Sequence, residues 1–230
     1  MNVGTVAELW RYPVKSMAGE RLDRTEVSWH GVEGDRRWAF VRPGLERSNF
    51  PWLTIRELPE MAHFMPRFSD PGRPDDSQTI VRTPEGEEIE VADPALAARL
   101  GDGVRVIKQN RGIPDIAPLS LLSTAAIVGL AGLVDARLDV RRFRPNLLVD
   151  AAGEFPEDDW VGRVLRIGGA RMRVDQRDRR CVMINVDPDT TQRDAAVLKA
   201  VARARDTCLG VYGTTVQPGP VAVGDPVVLE

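Results

Sequence analysis

In this 230-residue chain the side chain best placed to do chemistry is Cys181. The ten residues before it, Arg171 to Arg180, hold five Arg against two Asp. Nearby cations favour the thiolate form of a cysteine, which is both the nucleophile and the metal ligand. Free cysteine is also often buried and inert, so a packed thiol beneath a solvated arginine run is an equal reading of the same residues. A second group of cations, Arg141-Arg142-Phe143-Arg144, leads into Pro145-Asn146, and four of the eight residues from Arg137 to Arg144 are Arg. Guanidinium forks suit a phosphate, although an ordinary basic turn would look the same. Other chemistries find no support. His30 and His63 stand apart, and neither CxxC nor HExxH occurs, so no zinc site is expected. Nothing in the chain reads as a dinucleotide or phosphate-binding glycine loop, or as the spaced cysteines of an iron–sulfur cluster.

Strands and short helices must position these residues. Val3 to Leu9, Leu22 to Trp29 and Trp38 to Val41 read as strands. Ile80 to Thr83 and Glu88 to Val91 flank Pro84-Glu85-Gly86 as a hairpin. Ser69 to Ser77 is too polar and proline-rich to be other than a loop. Asp93 caps a short helix, with Pro94 at its first position and Gly101 beyond its end. In the second half, Ser120 to Leu130 has the spacing of a buried helix, and Asp194 to Arg205 is amphipathic. Leu147 to Asp150, Val164 to Ile167, Ala170 to Val174, Val182 to Val186 and Val227 to Leu229 read as strands, which puts Cys181 just before a strand. The fold class is a β-rich α+β protein: a small N-terminal β-unit packed on a C-terminal barrel.

Bulk properties narrow the function further. A net charge of −3 gives no global field for nucleic acid or an anionic membrane. The longest apolar run, Ala125 to Val134, is far too short to span a bilayer, and the N-terminus carries no export pattern. Two cysteines imply no disulfide framework, so the chain is expected in the cytoplasm with Cys181 and Cys208 reduced. Of the 31 basic residues only Lys15, Lys108 and Lys199 are lysines.

Five segments taken together carry a resemblance: Tyr12-Pro13-Val14-Lys15-Ser16, Gly34-Asp35-Arg36-Arg37-Trp38, Phe143-Arg144-Pro145-Asn146, Arg180-Cys181 followed by Val186-Asp187-Pro188-Asp189-Thr190, and Val223-Gly224-Asp225-Pro226-Val227. In this order, and across nearly the whole chain, they resemble the MOSC family, most closely its amidoxime-reducing branch. The resemblance implies an N-terminal β-barrel-like region over 1–110 and a MOSC domain over 111–230. It also implies a molybdenum–molybdopterin cofactor whose metal is ligated by Cys181. By the same carry-over Lys15, Ser16, Arg36, Arg144, Arg180 and Tyr212 bind the cofactor. A soft thiolate suits a sulfur-ligated metal, and Lys and Arg suit a phosphate. The chain departs from the pattern at Arg179, where relatives often have a small hydroxyl residue, so cofactor contacts or substrate charge preference are expected to differ. Cys208 matches no motif and is expected to be structural.

The activity this implies is reduction of N-hydroxylated or N-oxide-like small molecules. Lacking its own nicotinamide, flavin or iron–sulfur signature, the chain would take electrons from a separate ferredoxin- or cytochrome-type donor. The alternative is a sulfur carrier or cofactor-handling protein with a persulfide on Cys181; the lack of a cysteine-desulfurase domain weakens it.

Overall fold

A computed structural model describes residues 1–45 and 47–230 of the chain. Its organising feature is a closed barrel of seven strands. They are β1 (Asn2–Arg11), β10 (Leu119–Ser123), β11 (Leu147–Asp150), β12 (Val164–Ile167), β13 (Ala170–Arg179), β14 (Cys208–Gln217) and β16 (Pro226–Leu229). Around the barrel the order is β1, β16, β12, β13, β14, β10, β11 and back to β1. Among the barrel strands only β10 and β11 pair in parallel. The strand that closes the ring is therefore the first in the chain: β1 meets β16 through Asn2 to Thr5 and β11 through Thr5 to Leu9. Val6, Leu9, Leu121, Val149, Leu165, Val174, Val211 and Val227 belong to the apolar cluster of this barrel.

The remaining strands clothe the barrel. β2 (Glu20–Leu22) extends the sheet along the end of β1, and β3 (Arg24–Ser28) pairs with β4 (Gly31–Val32) and β15 (Gly219–Ala222). β5 (Trp38–Val41) pairs with β9 (Arg105–Lys108), while β6 (Met65–Phe68), β7 (Thr79–Arg82) and β8 (Glu88–Glu90) form a meander. These last strands and helix α1 (Pro94–Leu100) enclose a second apolar core around Phe40, Met61, Val81 and Leu96, into which Val186 of the C-terminal half also packs. A third core lies under α2 (Thr124–Val134) and α3 (Ala195–Arg205), where Leu130, Val197, Val201 and Ile184 meet.

Local chemistry explains most of the boundaries. Asp93 and Asp194 accept from the backbone N–H two residues on, at 2.8 Å each, and so start α1 and α3. The hairpin turn at Gly86 (φ +90°) is as expected. Three readings need correction. The buried run from Ser120 is a strand before it is a helix: all five residues of β10 are buried between β11 and β14, and Ser123 caps α2 by accepting from Ala126 N at 3.0 Å. A short continuous apolar run does not reveal its period, so only the cap marks the change. Val182 to Asn185 is a 3-10 turn, closed by Ile184 N donating to Cys181 O at 3.2 Å, and not a strand. Cys181 thus follows a strand, since β13 continues five residues past Val174. The stretch read as one strand over Leu22 to Trp29 is broken at Asp23 into β2 and β3.

Candidate active site

Three turns converge on one buried ring. Tyr12, at the end of β1, is almost completely enclosed. The guanidinium of Arg144 lies 4.2 Å from its ring centroid and that of Arg36 4.9 Å. Its backbone N–H donates to Asp35 Oδ1 at 2.8 Å, its carbonyl accepts from Arg36 N at 2.7 Å, and its hydroxyl donates to Pro145 O at 3.3 Å. Arg36 also donates to Arg144 O at 3.2 Å and pairs with Asp35. Next along the first turn, Lys15 is 5% exposed, pairs with Asp115 and donates to Ile113 O at 3.1 Å. Ser16, Arg36 and Arg144 all hold left-handed backbone, at φ 68°, 49° and 53°. Such conformations cost non-glycine residues on the order of 1–3 kcal/mol each and persist where surrounding contacts dictate them.

The opposing wall comes from the barrel. β13 delivers Asp178 and Arg179, and Arg180 and Cys181 follow directly. Arg180 is a brace: it donates to Leu209 O at 2.8 Å and Phe143 O at 2.7 Å, and pairs with Asp178 at 2.9 Å. It can lie across β14 because Gly210 (φ +77°) has no side chain; a Cβ there would stand 2.7 Å from Leu121 O and 3.2 Å from Arg180 Nη2. Asn146 of the Phe143–Asn146 turn ties β10 to β1 by accepting from Ser120 N at 3.2 Å and donating to Trp10 O at 3.3 Å.

Between these walls is a cavity of about 300 Å³. All of Lys15, Ser16, Arg36, Arg144, Arg180, Cys181 and Tyr212 line it, although they are drawn from turns and strands up to 197 positions apart (15 to 212). Other lining residues were not singled out from the sequence, among them Phe50, Arg56, Asp115 and Asp178. Arg56 matters most, since its Nη2 donates toward Cys181 Sγ at 3.3 Å. Arg56 and Asp115 sit in polar loops that propensity and periodicity treat as ordinary surface. One of the five motif segments and the second half of another do not line the cavity. In Val186–Thr190, the Asp187 carboxylate accepts from Asp189 N and Thr190 N and anchors Arg142 at 2.6 Å. In Val223–Val227, Asp225 accepts from Ala222 N at 2.8 Å. Both are turn builders. Cys208 begins β14 opposite Arg179, and both cysteines are free.

Electrostatics follow from burial. Burial pulls the Lys15 ammonium below its usual range, with Asp115 opposing. Burial also lowers Arg144 to about 10, helped by the Arg36 charge. The Asp178 carboxyl, 2% exposed, is pushed up to about 6 by burial although Arg180 works the other way. Burial, and then the nearby Asp178, raises the Tyr212 phenol. These buried cations are charged groups short of counter-charge, which is what an anion would relieve. Among the described residues no group of three His, Cys, Asp or Glu side chains stands together to hold a bare metal ion. Nor is any described helix long and apolar enough to cross a membrane.

A model of the MOSC N-terminal beta barrel domain matches residues 3–112, and one of the MOSC domain matches residues 108–228. Mitochondrial amidoxime reducing component 2 of Rattus norvegicus is 31% identical over 289 residues, covering 98% of this chain and 83% of that protein. The Bos taurus component 2 is 24% identical over 292 residues with the same coverage, and the Homo sapiens component 1 is 25% identical over 294 residues, covering 99% and 83%. Among solved structures, the YUAD protein from Bacillus subtilis shares the fold, with a TM-score of 0.54 at 13% identity, covering 98% of this chain and 94% of that one. The two domain matches, spanning all but the extreme termini, show that the chain belongs to the MOSC family.

Proposed function

We propose that this chain binds a molybdenum–molybdopterin cofactor and reduces N-hydroxylated small molecules with electrons from a separate ferredoxin- or cytochrome-type donor protein. The observation that carries the reading is the convergence of one thiol and a set of buried, under-compensated cations on a single cavity. The names of the amidoxime-reducing relatives supply the reaction class.

The residues present fit such a cofactor. Ser16 Oγ and Arg144 Nη2 are buried with no hydrogen-bond partner, and both residues line the cavity. An anionic phosphate would engage them together with Lys15 and Arg36. Among the described residues no three-ligand protein site stands near Cys181, so a metal complex that arrives already ligated fits it best, and a soft thiolate suits a sulfur-rich one. When bound, the cofactor would supply two-electron removal of an oxygen atom from the substrate. The protein's own residues would hold its phosphate (Lys15, Ser16, Arg36, Arg144), brace the turn beside it (Arg180) and border the reacting space (Tyr212, Asp178). On this reading 1–110 supplies Lys15, Ser16 and Arg36 to the phosphate, while 111–230 supplies Arg144 to it and the thiolate to the metal.

The test is expression in a host able to make the cofactor, followed by metal and pterin analysis and an assay with chemical reductant. Near-stoichiometric molybdenum with loss of an N-hydroxylated amidine is expected, and activity with NADH or NADPH only after a donor system is added. Loaded protein that reduces no such compound, yet passes labelled sulfur from Cys181 to an acceptor, would establish the sulfur-carrier role instead.

A further inference from the structure

We propose that Arg56 and Arg179 make this site select N-oxygenated substrates that carry an anionic group on an apolar or aromatic body, and disfavour cationic ones. The proposal rests on the reductase reading above and adds a substrate class to it.

The other cations lining the cavity either pair with a carboxylate or, for Arg144, are assigned above to the cofactor phosphate. Lys15 pairs with Asp115, Arg36 with Asp35, Arg142 with Asp187 and Arg180 with Asp178, while Arg144 covers the Tyr12 ring. Among the described residues no carboxylate pairs with Arg56, and none with Arg179. Both belong to the Cys181 wall: Arg56 contacts the sulfur, and exposed Arg179 is two residues before it. Arg56 is also held in place. Its N–H donates to Thr54 Oγ1 at 3.2 Å and its carbonyl accepts from Arg193 Nη2 at 2.7 Å, while Glu57 fixes Thr54 through two further bonds of 3.1 and 2.8 Å. A guanidinium positioned in this way has N–H groups left over after the sulfur contact, and its Nε has no partner. Its plane lies 5.0 Å from the Phe50 centroid, and Ile116, 55% exposed, lines the same space. An apolar body against Phe50 and Ile116 with a carboxylate toward Arg56 and Arg179 satisfies each of these groups. A cationic ligand would meet two unpaired charges of its own sign.

Two arms test this. In the first, the full chain without cofactor, in a Cys208→Ser background, reacts with an anionic and a cationic methanethiosulfonate. Their rate ratio is normalised to that of a small free thiol. Unpaired cations near a partly exposed site should favour the anionic reagent by about tenfold, less at high salt. R56Q with R179Q should bring the ratio close to one, and R56K with wild-type Arg179 should restore most of it. In the second arm, molybdenum-loaded protein under chemical reduction is given benzamidoxime and its para-carboxylate and para-trimethylammonium forms. KM should rise from anionic to neutral to cationic, by about tenfold overall, with kcat nearly constant, and the double variant should flatten the series. Equal KM values for the three, or a thiol ratio that the double variant leaves unchanged, overturns the proposal. Failure of the loaded protein to reduce any of the three, with the thiol ratio intact, instead overturns the reductase reading and leaves an anion-selective site.

Discussion

The cations around Tyr12 and those around Cys181 line one cavity but are built differently. Lys15, Arg36 and Arg144 come from tight turns, and burial strips them of water. Lys15 and Arg36 are matched to carboxylates, while Arg144 lies on the Tyr12 ring; Arg36 and Arg144 are held in left-handed backbone. Arg179 is exposed, Arg56 is half-buried, and neither has an ion-pair partner among the described residues. A cage of cations fixed by turns and ion pairs suits a ligand that stays; guanidiniums without a carboxylate suit one that must leave. On the proposed function this is the difference between holding a cofactor and choosing a substrate, and variants at each group should separate the two.

The largest effect is expected at the sulfur. Cys181→Ser should lose molybdenum and activity completely while its circular dichroism and melting stay those of the parent, because a hydroxyl is a poor soft ligand. Cys208→Ser, which lies outside the cavity lining, should keep the metal; elemental analysis of both variants checks the assignment. Next come single alanine variants of Lys15, Arg36 and Arg144. Each removes a charge-assisted contact and should weaken cofactor retention by on the order of 1.5–3 kcal/mol, or roughly ten- to a hundredfold. Pterin release during dialysis reads this, and retention equal to wild type would break the comparison.

A smaller, pH-dependent effect is expected from Asp178. Burial raises its carboxyl from 3.8 to about 6 in the folded chain, so its favourable contribution is complete below 3.8 and is lost as pH rises through about 6. Asp178→Asn should therefore gain on wild type between pH 5 and 7.5, by on the order of 1–2 kcal/mol since Arg180 loses a partner. Urea unfolding of the cofactor-free proteins at the two pH values measures it; a constant difference would argue against a strained carboxyl. The smallest effect is at Ser16. Gly accepts φ 68° without strain, so Ser16→Gly should raise stability by roughly 0.5–1 kcal/mol while weakening cofactor retention through loss of the hydroxyl. A loss of stability would mean that the turn is not strained.

Cys181 and the arginines before it were legible from charge and residue type alone, and the cluster at Arg141–Arg144 from its density of guanidiniums. Lys15, Ser16, Arg36 and Tyr212 were legible only through the resemblance of their segments to the MOSC family. Arg56, Asp115 and Asp178 were not legible. Each is an ordinary charged residue in a loop or along an arginine-rich strand, and only the approach of distant elements gives it a partner: Lys15 for Asp115, Arg180 for Asp178, Cys181 for Arg56. The misread elements have a similar cause. Ser120–Ser123 is a strand because β11 and β14 flank it, and the 3-10 turn after Cys181 follows from the packing of Ile184 under α3.

The sequence by itself determined the local pieces: the capped helices at Asp93 and Asp194, the hairpin at Gly86, the aspartate-built turns at Asp187 and Asp225, and the thiol among arginines. Those depend on contacts within a few residues, which composition and spacing encode directly. Only the tertiary structure decided that β1 closes the C-terminal barrel, that Tyr12 gathers three separated turns around itself, and that Arg56 reaches Cys181 across 125 positions. Such contacts depend on which buried surfaces meet once the barrel shuts, and no local pattern carries that information.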